Sequence, residues 1–189
     1  MQTLILVKHS LPEIDPSVPA KEWRLSCEGR RRAQKMGERL DRYNLDRVVS
    51  SIEPKAIETA EIATGVLKIP MEVVEGLHEH ERVNVGFLEK ERFEQSIRQF
   101  YEQPADQVFG EETADCAYER FANAVQRLSD RPQKENIAIV THGTVMSLFV
   151  SRNSYLEPFA LWKQLGLPSS VVLSRPDLDI VEISAGIGA

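Results

Sequence analysis

Thr3-Leu4-Ile5-Leu6-Val7 runs straight into Lys8-His9-Ser10 near the start of the chain. A short, unbroken apolar run rich in branched residues fits a strand buried on both faces of a parallel sheet, because a half-exposed strand would alternate apolar with polar. The pattern returns late. Asn136 to Val140 is again strand-length and apolar after its first residue, and it ends at Thr141-His142-Gly143. Two buried strands, each finishing on a histidine, frame everything between them.

Working outward from these two strands, the spacing predicts helices and strands in alternation. Ala33, Met36, Leu40 and Tyr43 recur at helical spacing in a segment from Cys27 to Tyr43, with Ser26 placed to cap it. Val48-Val49 makes a short strand closed by Ser50-Ser51, Pro54 opens a helix carrying Ile57, Ala60, Ile62 and Val66, and Met71 to Val74 gives another strand. Phe93, Ile97 and Phe100 mark a helix from Leu88 to Tyr101 that Pro104 ends, and Thr113 caps one carrying Ala117, Phe121, Val125 and Leu128. A helix with Val145, Leu148 and Phe149 follows His142, and a hairpin through Pro176-Asp177 joins Ser170–Leu173 to Ile180–Ile183. The expectation is one α/β domain over 1–189, a three-layer α/β/α sandwich with a mostly parallel central sheet and a helical insertion around 81–112. Ligands of such folds sit beyond the carboxyl ends of the strands, where His9 and His142 both fall and can share one pocket.

Composition narrows the function. A chain of 189 residues suits one hydrophobic core rather than two. With 29 acidic against 23 basic residues the net charge is −6, which argues against a general nucleic-acid binder, whose affinity rests on a surplus of Lys and Arg. No stretch approaches the ~18 apolar residues of a membrane helix, and the apolar N-terminal run is too short, with no basic lead, for a signal peptide. Two cysteines, Cys27 and Cys116, are too few for a disulfide framework, so a cytoplasmic protein is expected. An anionic substrate would then need a local positive pocket, not a basic surface.

Four separated motifs supply one. They are Lys8-His9-Ser10 with Leu25-Ser26-Cys27-Glu28-Gly29 behind it, the block from Ser50-Ser51 through Lys55-Ala56 to Thr59-Ala60, Leu77-His78-Glu79, and His142-Gly143. In this order they resemble the histidine phosphatase superfamily, also called phosphoglycerate mutase-like, and the likeness covers most of the chain. The resemblance implies a metal-independent phosphomonoester hydrolase, a histidine acid-type phosphatase, that takes the phosphoryl group onto His9 and passes it to water. A neutral imidazole nitrogen can displace the alcohol in line and divide one hard step into two easier ones. The resemblance further implies His142, Lys8 and Lys55 as cations around the phosphoryl oxygens, Ser10 beside them, and Glu79 as the group that moves the proton. Cationic side chains supply the charge, so the scheme calls for no metal and no other cofactor.

Lys8 and Lys55 stand where the family pattern has arginines. Lysine keeps the charge but lacks the planar fork that makes two parallel hydrogen bonds. Loss of one charge-assisted bond per site, ~1.5–3 kcal/mol, slows turnover on the order of 10-fold or more per site. The expected partner is a phosphorylated small molecule or a phosphoprotein, with no nucleic acid and no membrane. The leaving group would be read by Leu11–Trp23 and Glu81–Glu112, and sugar phosphates, phosphohistidine proteins and nucleotide derivatives stay open, as does oligomeric state. A catalytically weak relative that binds phosphorylated ligands or a protein partner, and a phosphoglycerate mutase-type phosphotransferase, are the alternatives.

Other chemistries fail on inspection. Cysteine phosphatases need Arg six positions after the nucleophile, and Ala33 and Ala122 stand there for Cys27 and Cys116. An aspartate phosphatase motif is not met by Asp177-Leu178-Asp179, which comes late and precedes Ile180-Val181. No Gly-x-x-x-x-Gly-Lys loop is present. His78 and His80 alternate as a strand metal pair would, but Arg82 breaks the zinc-protease spacing, and Arg30-Arg31-Arg32 on a helix reads as a solvated face rather than an anion patch.

Overall fold

A computed structural model describes residues 2–131 and 135–187; Met1, residues 132–134 and residues 188–189 of the expected 1–189 domain lie outside the described residues. The elements are β1 (Gln2–Lys8), α1 (Cys27–Leu40), β2 (Arg47–Ser50), α2 (Pro54–Leu67), β3 (Met71–Val73), α3 (Lys90–Glu102), α4 (Ala114–Ser129), β4 (Ile137–Thr141), α5 (Gly143–Arg152), α6 (Pro158–Gln164), β5 (Ser169–Arg175) and β6 (Ile180–Ser184). The strands form one sheet in the order β3-β2-β4-β1-β5-β6. Pairing is parallel from β3 to β1, whereas β5 runs antiparallel to both β1 and β6. The sheet is therefore mostly parallel, and the expected hairpin is β5–β6.

Period-two alternation along β1 feeds two cores at once. Leu4 and Leu6 point into the cluster formed with α3, α4, α5 and α6, through Phe100, Phe121, Met146 and Leu161. Ile5 and Val7 point the other way, onto Met36 and Leu40 of α1 and Ala56 and Ala60 of α2. All four β1 residues are fully buried, each worth about 1.5–3 kcal/mol of hydrophobic stabilisation. Three layers follow, with α1 and α2 on one face and the remaining helices on the other. The helix inside the 81–112 segment is integral to this packing, since Ile97 and Phe100 of α3 are fully buried in the first core.

Local signals set the helix starts. Ser26 Oγ accepts from Gly29 N at 3.0 Å, and Thr113 Oγ1 accepts from Cys116 N at 3.1 Å. Each of the three consecutive arginines of α1 finds a carboxylate, Arg30 at Glu58 (2.8 Å), Arg31 and Arg32 at Glu28 (2.6 and 2.9 Å). Gly29 is required by contact: a Cβ there would meet the Leu11 carbonyl oxygen at 2.0 Å. No helix among the described residues is long and apolar enough to cross a membrane.

Candidate active site

Parallel register delivers the site. Lys8 pairs with Thr141 and Ser50 with Val140, so β1, β4 and β2 end level with one another. Backbone bonds extend each ending by one residue: His9 N donates to Thr141 O and Ser51 N donates to Val140 O, both at 2.9 Å. His9, His142 and Ser51 thus emerge side by side from adjacent strands about 4.8 Å apart. The two imidazole centroids lie 5.1 Å from each other.

His9 is held through its own backbone. Nδ1 lies 2.7 Å from the Ser10 carbonyl oxygen, so Nδ1 carries the proton and Nε2 keeps a lone pair. Burial, reinforced by His142, Lys55 and Lys8, holds the ring's pKa well below the usual histidine range, which keeps it neutral at physiological pH. Ser10 is locked in turn. Its N–H donates to Thr59 Oγ1 (2.9 Å), whose hydroxyl donates to Lys55 O (2.7 Å), and its own hydroxyl donates to Gly29 O (2.6 Å). The Ser10 hydroxyl therefore points at α1, and Ser10 acts on the pocket through its carbonyl.

His142 is held from the opposite ring nitrogen. Nε2 lies 2.7 Å from Ser51 Oγ and 3.6 Å from Glu53 Oε1, while Nδ1 is buried without a hydrogen-bond partner. Burial, with Lys55 next, keeps this ring neutral as well, its pKa well below the usual value. Glu53 binds on three sides: Oε2 pairs with the Lys55 ammonium, and Oε1 accepts from Glu79 N at 2.8 Å besides facing His142.

Both lysines are desolvated and already bonded. Lys8 Nζ donates to Leu165 O at 2.7 Å, and burial, partly offset by Glu79, lowers its pKa to about 8. Lys55 Nζ donates to Glu53 and to Ala20 O, the latter at 2.7 Å, and burial lowers its pKa too. Ala20 lies in the 3-10 turn Ala20–Glu22, so this bond ties the Leu11–Trp23 loop to the site.

Glu79 sits at the amino end of α5. Its carboxylate accepts from Thr144 N (3.2 Å), Val145 N (3.3 Å) and His80 N (2.9 Å). A helix N-terminus favours negative charge. Burial pushes the carboxyl up, but Arg82, His142 and the His80 amide outweigh it and bring the pKa to about 2. Glu79 is thus a carboxylate in the free protein. Its loop is fixed by Arg120, which donates to Gly76 O and His78 O at 2.9 Å each.

Among the residues expected from sequence, His9, His142, Lys8, Lys55 and Glu79 converge, and Ser10 joins them by its backbone only. Ser51, Glu53, Thr59 and Arg82 also border the cluster, and the sequence assigns none of them a site role. Glu53 and Ser51 lie inside a motif already recognised, whereas Arg82 carries no local signal. His78 and His80 form no metal site: His78 Nε2 faces Glu81 at 3.3 Å, His80 packs on Phe100 at 4.1 Å between centroids, and among the described residues no group of three or more ligating side chains is suitably placed. A cavity of about 300 Å³ lies at the far end of β1, beside Arg175, which pairs with Gln2, and takes no part in this cluster.

The family model described as histidine phosphatase superfamily (branch 1) matches residues 4–177. The chain belongs to the histidine phosphatase superfamily. Solved members share its fold at low identity. A phosphoserine phosphatase of Entamoeba histolytica superposes with a TM-score of 0.79 at 18% identity, covering 97% of both chains. A mycobacterial glucosyl-3-phosphoglycerate phosphatase gives 0.75 at 17% identity over 97% of both chains, and YhfR of Bacillus stearothermophilus 0.77 at 22% over 100% of this chain and 98% of that one. No curated protein matches the chain in sequence.

Proposed function

We propose that this superfamily member is a phosphomonoester hydrolase working through a phosphohistidine on His9. The observation that carries the reading is the paired imidazoles 5.1 Å apart, His9 with Nδ1 held by the Ser10 carbonyl and Nε2 free, His142 with Nε2 held at Ser51 and Nδ1 without a partner.

In the first step the lone pair of His9 Nε2 forms a bond to phosphorus while the ester P–O bond breaks. The phosphoryl oxygens are held by Lys8, Lys55 and His142, whose donors are fixed before the charge develops. The leaving oxygen takes a proton from Glu79. Glu79 rests as a carboxylate, so that proton enters with the substrate as its monoanion, and the phosphoryl charge arriving beside Glu79 raises its proton affinity. In the second step Glu79, again ionised, accepts a proton from water as the water attacks phosphorus, and the P–N bond breaks to restore neutral His9. No step calls for a metal or cofactor. An acid-leaning profile follows, because phosphomonoesters lose their second proton at about pH 6.

The substrate class is a small phosphomonoester. Solved members of the fold include a complex with phosphoserine and one with 3-phosphoglyceric acid, and the reacting histidines here are nearly closed off, His9 being 7% exposed and His142 fully buried. Exposed, unpaired Cys27 and Cys116 suit a reducing, cytoplasmic setting.

A second reading has its own support. Both lysines spend donors on protein acceptors, so a binder of phosphorylated ligands that turns over little is consistent with the same geometry. Phosphate release from 4-nitrophenyl phosphate in EDTA, with mass analysis for an adduct on His9, separates the two. The hydrolase shows both, and His9→Ala loses both; a binder shows saturable phosphate affinity without release. Turnover that survives in His9→Ala, with His9 never modified, sinks the proposed mechanism.

A further inference from the structure

The fork absent at positions 8 and 55 is present elsewhere in the pocket. Arg82 stands three residues beyond Glu79, just before the 3-10 turn Val83–Val85. Among the described residues its Nη1 is buried with no hydrogen-bond partner. A buried guanidinium N–H without an acceptor is uncommon in a folded protein and calls for a reason. The nearby Arg120 is the contrast: it donates to Gly76 O, His78 O and Glu79 O and pairs with Glu112, so its fork is consumed by the fold.

Aromatic packing fixes where the Arg82 fork stands. Its guanidinium carbon lies over Phe93 of α3, 5.1 Å from the ring centroid. Phe93 meets Trp162 of α6 edge to face at 5.8 Å, and the Lys8 ammonium lies 6.0 Å from the Trp162 ring. Trp162 Nε1 is 3.3 Å from the position a Cβ on Gly143 would take, at the start of α5 where Glu79 is bound. One wall of two rings therefore runs from Arg82 to Lys8 along the pocket. A guanidinium lying on a ring keeps its N–H edge free for an anion. Its charge reaches Glu79, His142 and Lys55.

We propose that Arg82 gives the substrate's phosphoryl oxygens the two parallel hydrogen bonds that Lys8 and Lys55 cannot make. The loop after Glu79 would then carry the arginine that the two strand-end motifs lack. This rests on the phosphoryl-transfer reading above, and it makes Arg82 a catalytic residue that touches substrate, not only a charge that keeps Glu79 ionised.

The test compares the unaltered protein with Arg82→Ala and Arg82→Lys, using 4-nitrophenyl phosphate, whose leaving group carries no second anion. Inhibition by orthovanadate is read alongside, and inorganic phosphate binding is read by calorimetry, which needs no turnover. Arg82→Ala should lower kcat/KM by about 10²-fold and weaken phosphate and vanadate binding about 10-fold or more, with an unchanged melting temperature. Arg82→Lys, which restores charge but not the fork, should fall between. Unchanged phosphate and vanadate binding in Arg82→Ala overturns the proposal, even if the pH profile moves. So does a defect confined to phosphoserine or 3-phosphoglycerate, because their carboxylate would then be the ligand. If instead the unaltered protein releases no phosphate, or His9→Ala still does, it is the phosphohistidine reading that fails, and phosphate calorimetry still decides on Arg82.

Discussion

The ends of β1 and β4, Lys8-His9-Ser10 and Thr141-His142-Gly143, both place a histidine just past an apolar strand, yet they present their histidines in opposite senses. At β1 the chain folds back, so the Ser10 carbonyl takes Nδ1 and exposes Nε2. At β4 the chain turns directly into α5, Nδ1 meets no backbone acceptor, and a side chain from the neighbouring strand end, Ser51, takes Nε2 instead. The residue after each histidine differs as well. Ser10 has space for a Cβ and a hydroxyl bonded to Gly29, whereas a Cβ at Gly143 would press on Lys8 Cε at 3.0 Å. Identical imidazoles thus acquire different roles from what holds their far nitrogen.

The sharpest way to break this comparison is to remove each ring in turn. His9→Ala should lower kcat by about 10⁴-fold or more, since no other group can take the phosphoryl. His142→Ala should cost about 10²–10³-fold, the loss of one preorganised donor, and rapid-quench mass analysis should still find the adduct on His9. Equal losses with no adduct in either variant would mean that the two histidines are not divided as described.

Glu79→Gln separates proton transfer from charge stabilisation. It should lower kcat/KM, which reads the phosphorylation step, about 10²–10⁴-fold for alkyl phosphates and much less for 4-nitrophenyl phosphate, because nitrophenolate leaves without a proton, while the water step slows alike for both. Equal kcat/KM defects on both substrates would assign Glu79 to holding α5 rather than to protonating the leaving group.

The pH profile then tests the lysine beside His9. Lys8 has a pKa lowered to about 8, so it is charged below that value and neutral above it. Phosphate inhibition should weaken as pH rises through about 8, and Lys8→Arg, charged throughout, should flatten that limb. Ser51→Ala should have the smallest effect, a loss of about 3–10-fold in kcat/KM, the worth of one neutral hydrogen bond. The adduct on His9 should be unaffected, which would locate Ser51 on the His142 side alone.

Legibility in the sequence followed the range of the forces involved. β1, β4 and the histidines at their ends were readable because an abrupt stop in an apolar run is a local signal, and Ser26 and Thr113 were readable as caps for the same reason. Glu79, Lys8 and Lys55 became visible through motif order. Glu53 was not, because a carboxylate before a helix reads as solvent-exposed until the fold closes Lys55, Glu79 and His142 around it. Ser10 was expected at the phosphate, but the close pass of α1 draws its hydroxyl to Gly29. Arg82 depends on α3 and α6 meeting at Phe93 and Trp162, a contact between segments far apart in the chain.

Gly29 shows how far the aim of His9 is delegated. Its carbonyl fixes Ser10 and its missing side chain admits Leu11, yet it belongs to a helix whose other duties are to pack on α2 and to face solvent. A survey of tolerated substitutions would therefore find position 29 nearly as unforgiving as position 9. Pocket-centred redesign of specificity can vary the residues around the leaving group, but it has to inherit this helix turn unchanged.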